Sequence, residues 1–343
     1  MTNIIDGKAF AAKIRTEVKQ DADNLINKKH YAQVPRWTVD SIKLLICIVY
    51  IYAGLAKINS DWLLNAMPLK IWLTSKYDLP IIGELLLQKN WVHYLMSWGG
   101  MAYDLSIPFL LIYSRTRLFA FVLVVFFHVF TLVLFPIGMF PHIMIFCSMI
   151  FFSPNLHRKG LNIIETILRS LGLFFKNQKL KQSDELNIIG QKIIVPVLII
   201  FFFLQAIIPF RYMAYPGELF WHEQGYRFSW RVMLIEKVGY TNFRIKNSID
   251  GTSFVVNSAN FLTPFQEKQM SFQPDFILEF AHYLGDTYSS ENNRVEVFAD
   301  SFVALNGRAS QRFINPKVNL YNEKESINNK TWILPLKDEI KGI

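Results

Sequence analysis

The chain has 343 residues, of which 52% are hydrophobic, 15% aromatic and only 18% charged, with a net charge of +9. That balance excludes an ordinary soluble domain, in which about 25% of residues are charged. The basic excess lies mainly in loops between apolar runs and no nucleic-acid motif accompanies it, so it points to membrane orientation rather than to a nucleic-acid partner.

Residues 1–33 form a hydrophilic, amphipathic segment in which Ala11, Ile14, Val18, Ala22 and Leu25 recur at helical spacing. The polar start rules out a cleavable signal peptide, so insertion is expected to begin at the first internal apolar segment. The run Ile4-Ile5-Asp6-Gly7-Lys8-Ala9-Phe10-Ala11-Ala12-Lys13-Ile14-Arg15 resembles the beginning of the methylenetetrahydrofolate dehydrogenase/cyclohydrolase family over about 25 residues. It carries no catalytic motif of that family. Either an amphipathic helix has produced the likeness by chance, or a foreign start has been joined to a membrane gene.

Five apolar segments follow, near 41–57, 92–113, 117–135, 138–152 and 193–211. The fourth is short and begins at Gly138-Met139-Phe140-Pro141, which predicts a tilted, broken or re-entrant piece. Arg115, Arg117 and the basic loop from His157 to Lys192 set an N-terminus inside and a C-terminal module outside. The 58–91 loop bears Trp62, Trp72 and Trp91 and suits one or two interfacial helices. Cys47 and Cys147 each sit in an apolar run and behave as small hydrophobes, giving neither a disulfide framework nor a metal cluster.

From about 212 the chain turns polar. Residues 239–258 predict a hairpin turning at Asp250-Gly251, 264–288 a helix beginning near Pro264, and 294–298 with 302–305 a second strand pair before a last strand. The expected architecture is a polytopic α-helical membrane bundle of about five spans over 34–211, followed by an α+β extramembrane module over 212–343.

Lys57 closes the first span and admits two readings. Its ammonium either snorkels to the headgroups or is a partly desolvated amine that serves as a base near neutral pH. Asp61 either orients Lys57 or caps the helix that follows. Asp104, inside a span, is costly unless paired. His128, mid-span, either contacts a ligand or bonds a neighbouring helix.

Several stretches in order resemble the vitamin K-dependent gamma-glutamyl carboxylase family and its bacterial relatives: Val34-Pro35-Arg36-Trp37, Tyr52-Ala53-Gly54-Leu55-Ala56-Lys57-Ile58-Asn59-Ser60-Asp61-Trp62, Tyr103-Asp104-Leu105, and Phe127-His128 with Phe135-Pro136-Ile137-Gly138-Met139-Phe140. Gly225-Tyr226-Arg227-Phe228-Ser229-Trp230-Arg231-Val232-Met233, Val303-Ala304-Leu305-Asn306-Gly307-Arg308 and Asn315-Pro316-Lys317-Val318 continue the match to residue 336. The resemblance implies an integral membrane enzyme, in the inner membrane of a bacterium, that couples oxidation of a quinol to its epoxide with CO2 addition to glutamyl residues. The co-substrates implied are a reduced vitamin K or menaquinone-type quinol, O2 and CO2, with no metal. The partners implied are the lipid membrane and a glutamyl peptide or protein.

In that family the initiating base is the lysine of the Gly-x-x-Lys-x-x-x-Asp-Trp stretch, here Lys57. Asp61, Asp104, His128, Tyr226, Trp230, Arg231 and Arg308 are the accompanying candidates for substrate or quinone binding. Arg231 suits an anionic glutamyl or product carboxylate, against an ion pair with Glu223 or Glu236. Arg308 has the same choice between docking a substrate chain and a loop salt bridge. The family carries further membrane helices ahead of the Val-Pro-Arg-Trp stretch, so the bundle is expected to be incomplete. The competing expectations are a truncated, non-catalytic membrane protein of the same fold, or a quinol epoxidase that does not carboxylate.

Overall fold

The computed structural model describes residues 12–20, 35–171, 188–290 and 294–342. Most of the amphipathic start, 1–33, lies outside these residues; 12–20 is helical. The chain divides into two compact units, one of residues 45–149 with 202–343 and the other of 1–44 with 150–201.

The helical part begins with Arg36–Ala56 (α1), followed by the short helices Ser60–Asn65 (α2) and Leu69–Thr74 (α3). Asn90–Ile112 (α4), Arg117–Leu134 (α5), Phe140–Ser148 (α6), Pro154–Ser170 (α7) and Ile188–Ile207 (α8) come next. Among the described residues, four stretches are long and apolar enough to cross a bilayer: α1, α4, α5 and Lys192–Ala214. A helix of about 20 residues spans the hydrocarbon while satisfying its own backbone, which is why such runs fold this way.

The segment expected near 138–152 differs from the other four. It is the nine-residue α6 plus a three-residue 3-10 turn, Met149–Phe151, and so covers about 18 Å, well short of a ~30 Å core. The inside–outside assignment drawn from five crossings therefore hangs on this short piece.

Periodicity sorts the long helices into two faces. In α5, Ala120, Val124, His128 and Thr131 are buried at steps of three and four, while Phe119, Phe126 and Val133 face outward. A side chain at Gly54 would meet the Leu105 side chain at 2.7 Å and the Leu105 backbone nitrogen at 3.1 Å. The glycine thus lets α1 and α4 approach closely, one turn before Lys57 and beside Asp104.

The remainder builds an α+β module. Leu219–His222 (α9) precedes the strands Lys237–Asn247 (β1) and Ser253–Val256 (β2). Pro264–Met270 (α10), Pro274–Tyr288 (α11), Val295–Leu305 (β3) and Gln311–Arg312 (β4) follow. The sheet is antiparallel in the order β2-β1-β3-β4, with Phe243 opposite Val256 on one side and Ala299 on the other. Phe243, Ile245, Val297, Ala299 and Val303 face a core completed by Ile277, Ala281 and Leu284 of α11.

Two expectations change here. The single helix expected over 264–288 is two, interrupted at 271–273, because a residue before proline is pushed out of the helical region and Pro274 starts the second. The two strands expected over 294–305 are one. Alternation runs unbroken through Val295, Val297, Ala299, Ser301, Val303 and Leu305, and the polar Asp300 sits on the exposed face instead of in a turn.

Candidate functional site

At the end of α1, Lys57 does not reach outward. Its side chain is 10% exposed and Nζ donates to the Ala53 carbonyl at 3.1 Å and to Asp104 Oδ2 at 2.7 Å. The snorkelling geometry is thus absent. Asp104, whose side chain is 8% exposed, meets the pairing requirement that its place inside a span imposes. The Trp62 indole lies 5.4 Å from the ammonium and donates Nε1–H to the Ser97 carbonyl at 2.7 Å, tying α2 to α4.

This pair forms the polar end of a cavity of about 100 Å³. Aromatic and aliphatic side chains from α1 to α6 and the loops beside them make the rest of its wall, among them Phe127, Phe135, Phe140 and Met144. Farther along the same wall, His128 Nε2 and the Tyr50 hydroxyl are 3.0 Å apart, and the Tyr50 and Tyr103 hydroxyls 3.4 Å apart. Tyr103 stacks on Phe127 with ring centroids 4.0 Å apart. His128 Nδ1 is buried without a hydrogen-bond partner. Lys57, Asp104 and His128, singled out in the sequence, therefore line one cavity. Tyr50 and Tyr103 were not singled out. The signal for Tyr50 was present, because it lies seven residues before Lys57 and so on the same helix face.

Asp61 takes neither of its expected roles. Asn59 is the residue that caps α2, its Oδ1 accepting from Trp62 N at 2.9 Å. Asp61 turns to the module instead. Its two carboxylate oxygens accept from Arg308 Nη1 and Nη2, both at 2.7 Å, and Asn306 Nδ2 donates at 2.9 Å. Arg308 also donates Nε–H to Asp338 at 2.7 Å. These carboxylates hold the Arg308 guanidinium above its usual range. Arg308 thus forms a salt bridge with a nearly inaccessible carboxylate across 247 residues of sequence.

Tyr226, Trp230 and Arg231 lie on a loop with an unusual backbone. Glu223, Phe228, Trp230 and Met233 all have positive φ, between 57° and 60°, a conformation that costs an L residue about 1–2 kcal/mol. The loop is braced from within: the Tyr226 hydroxyl donates to the Arg231 carbonyl at 2.8 Å, and Ser229 Oγ donates to the Tyr226 carbonyl. Strain of this kind gathers at functional sites, and the loop's last residues, Val232 and Met233, wall the Lys57 cavity. Arg231 is buried, with its guanidinium 4.5 Å from the Tyr212 ring and 5.8 Å from that of Phe220. The two acids expected beside it from the sequence each make a bond to another residue. Glu223 pairs with Lys237 at 2.6 Å, and Glu236 accepts from Trp72 Nε1 at 2.6 Å. Arg231 borders a second, polar cavity of about 230 Å³ together with Asn59 and Glu218. Burial raises the Glu218 carboxyl above the ordinary carboxylate range.

Two protein-family models match the chain. One, the HTTM domain, covers residues 14–156; the other, the lumenal domain of vitamin K-dependent gamma-carboxylase, covers residues 190–339. No solved structure matches.

Proposed function

Because this chain belongs to the gamma-carboxylase-like family of membrane proteins, we propose that it is a quinol-dependent gamma-glutamyl carboxylase in which Lys57 is the base. The observation that carries the reading is the buried Lys57–Asp104 pair at the polar end of an apolar cavity. A reduced vitamin K or menaquinone-type quinol, when bound, supplies the electrons with which O2 generates a base strong enough to free a glutamyl γ position for CO2. The cavity suits a flat apolar ring bearing oxygens, since aromatic walls enclose it and Lys57, Tyr50 and His128 offer polar atoms. The partnerless His128 Nδ1 is a further polar atom that a ligand oxygen can satisfy.

In the proposed reaction Lys57 Nζ is the acceptor of a hydroxyl proton. Asp104 then holds the ammonium through the 2.7 Å bond, so that the new charge is compensated inside a low-dielectric wall. The contact of Lys57 Nζ with Ala53 O fixes the amine's direction. The apolar lining keeps bulk water from competing for the proton. Arg231, which borders the separate polar cavity with Asn59 and Glu218, is the candidate to hold a glutamyl carboxylate by a bidentate contact.

The test uses purified protein in lipid with the reduced quinone, O2, labelled bicarbonate and a glutamyl peptide, counting epoxide and fixed label separately. Both products are expected, and Lys57→Ala should remove both. Epoxide alone would make the protein an oxygenase uncoupled from carboxylation. Neither product from a folded sample would refute the catalytic reading.

A further inference from the structure

The helix α7 has a pattern that the carboxylase reading does not use. At 100° per residue, Leu156, Leu161, Ile163, Ile164, Ile167 and Leu168 fall within one arc of about 160°, and the opposite arc is polar. Arg158, Lys159 and Arg169 stand on the polar arc, with Glu165 as its one acid, bonded to Arg169 at 2.6 Å. No residue of this 17-residue helix is buried. Leu161 is 64% exposed, Ile163 61% and Ile164 53%. A continuous apolar stripe of this length left open to water would be a strong aggregation hazard in a soluble protein.

Its place in the chain says what covers it. The apolar segment Phe140–Phe151 ends three residues before Pro154, and the span Lys192–Ala214 follows. The helix therefore begins where the chain leaves the apolar layer. Pro154 at its first turn and Ser153 in extended backbone set a sharp change of direction there. The cations are spaced to sit at the edges and back of the stripe, where long side chains snorkel to phosphates while the apolar arc sinks among acyl chains. Lys176, Lys179 and Lys181 extend the basic character in the sequence beyond it.

We propose that α7 lies flat in the bilayer interface and binds anionic phospholipid headgroups through Arg158, Lys159 and Arg169. Its occupant is thus a negatively charged leaflet, neither a second copy of this chain nor a soluble partner. An in-plane helix between two membrane segments would make the protein's lipid surroundings selective: acidic lipids would be enriched beside it.

The experiment places an environment-sensitive fluorophore on Ile164→Cys in full-length protein whose Cys47 and Cys147 are serine. The protein is reconstituted in vesicles of phosphatidylcholine alone or with phosphatidylglycerol. Blue-shifted emission, quenching by brominated acyl chains and a shift that grows with phosphatidylglycerol are expected. Replacing Arg158, Lys159 and Arg169 together by glutamine should abolish the dependence on lipid charge while leaving the insertion of the spans unchanged. An unquenched, water-like probe would overturn the proposal. So would burial that ignores lipid charge, or burial that appears only as protein concentration rises, as expected for a contact between copies.

Discussion

The contact between Asp61 and Arg308 gives the sharpest quantitative expectation, because it decides between a docking and a structural role for Arg308. In Arg308→Met, Asp61 loses two charge-assisted bonds of 2.7 Å and keeps only the one from Asn306 at 2.9 Å. Each such bond contributes about 1.5–3 kcal/mol net, and breaking a buried pair from one side costs about 3–5 kcal/mol. The Arg308 side chain is 17% exposed, so water can partly replace it, and we expect a loss of about 3 kcal/mol. Asp61→Asn in the same background removes the stranded charge and should restore about 1–2 kcal/mol, a coupling visible only in the double-mutant cycle. The assay is denaturant unfolding in a fixed detergent, followed by near-ultraviolet circular dichroism of the module. Wild-type stability in Arg308→Met, with a raised peptide KM, would refute the structural account and return Arg308 to substrate docking.

Asp104→Asn should cut both quinol epoxidation and carboxylation by about 100-fold while changing the quinol KM little, since it removes the countercharge and not the base; equal losses of affinity and rate would point to a binding role. Gly54→Val should force α1 and α4 apart, break the Lys57–Asp104 contact and reduce activity to the level of Asp104→Asn; unchanged activity would show that the close approach is dispensable. His222 lies outside the spans, and burial holds its ring down to about 4, against 6.5 in the open chain. Between those values the unfolded chain takes up a proton that the native ring does not. Stability is therefore full above pH 6.5 and falls as pH drops toward 4, by up to about 3 kcal/mol. His222→Gln should flatten that slope in pH-dependent unfolding, and an unaltered slope would assign it to other groups.

The parts of this molecule that were legible in the sequence are those fixed by local rules. Long apolar runs must become helices in a bilayer, and the Asp250-Gly251 pair turns a hairpin with Gly251 at φ +73°. Lys57 and Asp104 were each conspicuous as charges beside or within apolar runs, but nothing local says that residues 47 apart share a bond. Asp61 was ambiguous because Asn59, two residues earlier, caps a helix equally well, and the partner that claimed Asp61 lies 247 residues away. β3 was divided because Asp300-Ser301 has turn composition. In a half-open sheet the exposed face accepts an aspartate, which here pairs with Arg312 at 3.2 Å.

Within six residues the turn after α1 faces three ways: Lys57 into the membrane cavity, Asn59 onto the next helix, and Asp61 toward the Asn306-Gly307-Arg308 turn of the module. Such a junction behaves like a keyed joint. A chimaera that takes its membrane helices from one relative and its module from another would have to carry 57–62 and 306–308 from the same parent. Exchanging either alone would strand the Asp61 carboxylate, four residues from Lys57, or the Arg308 guanidinium. Recombination and drift are thereby constrained as a pair at two places far apart in the gene, so the two halves of this protein inherit their fit together.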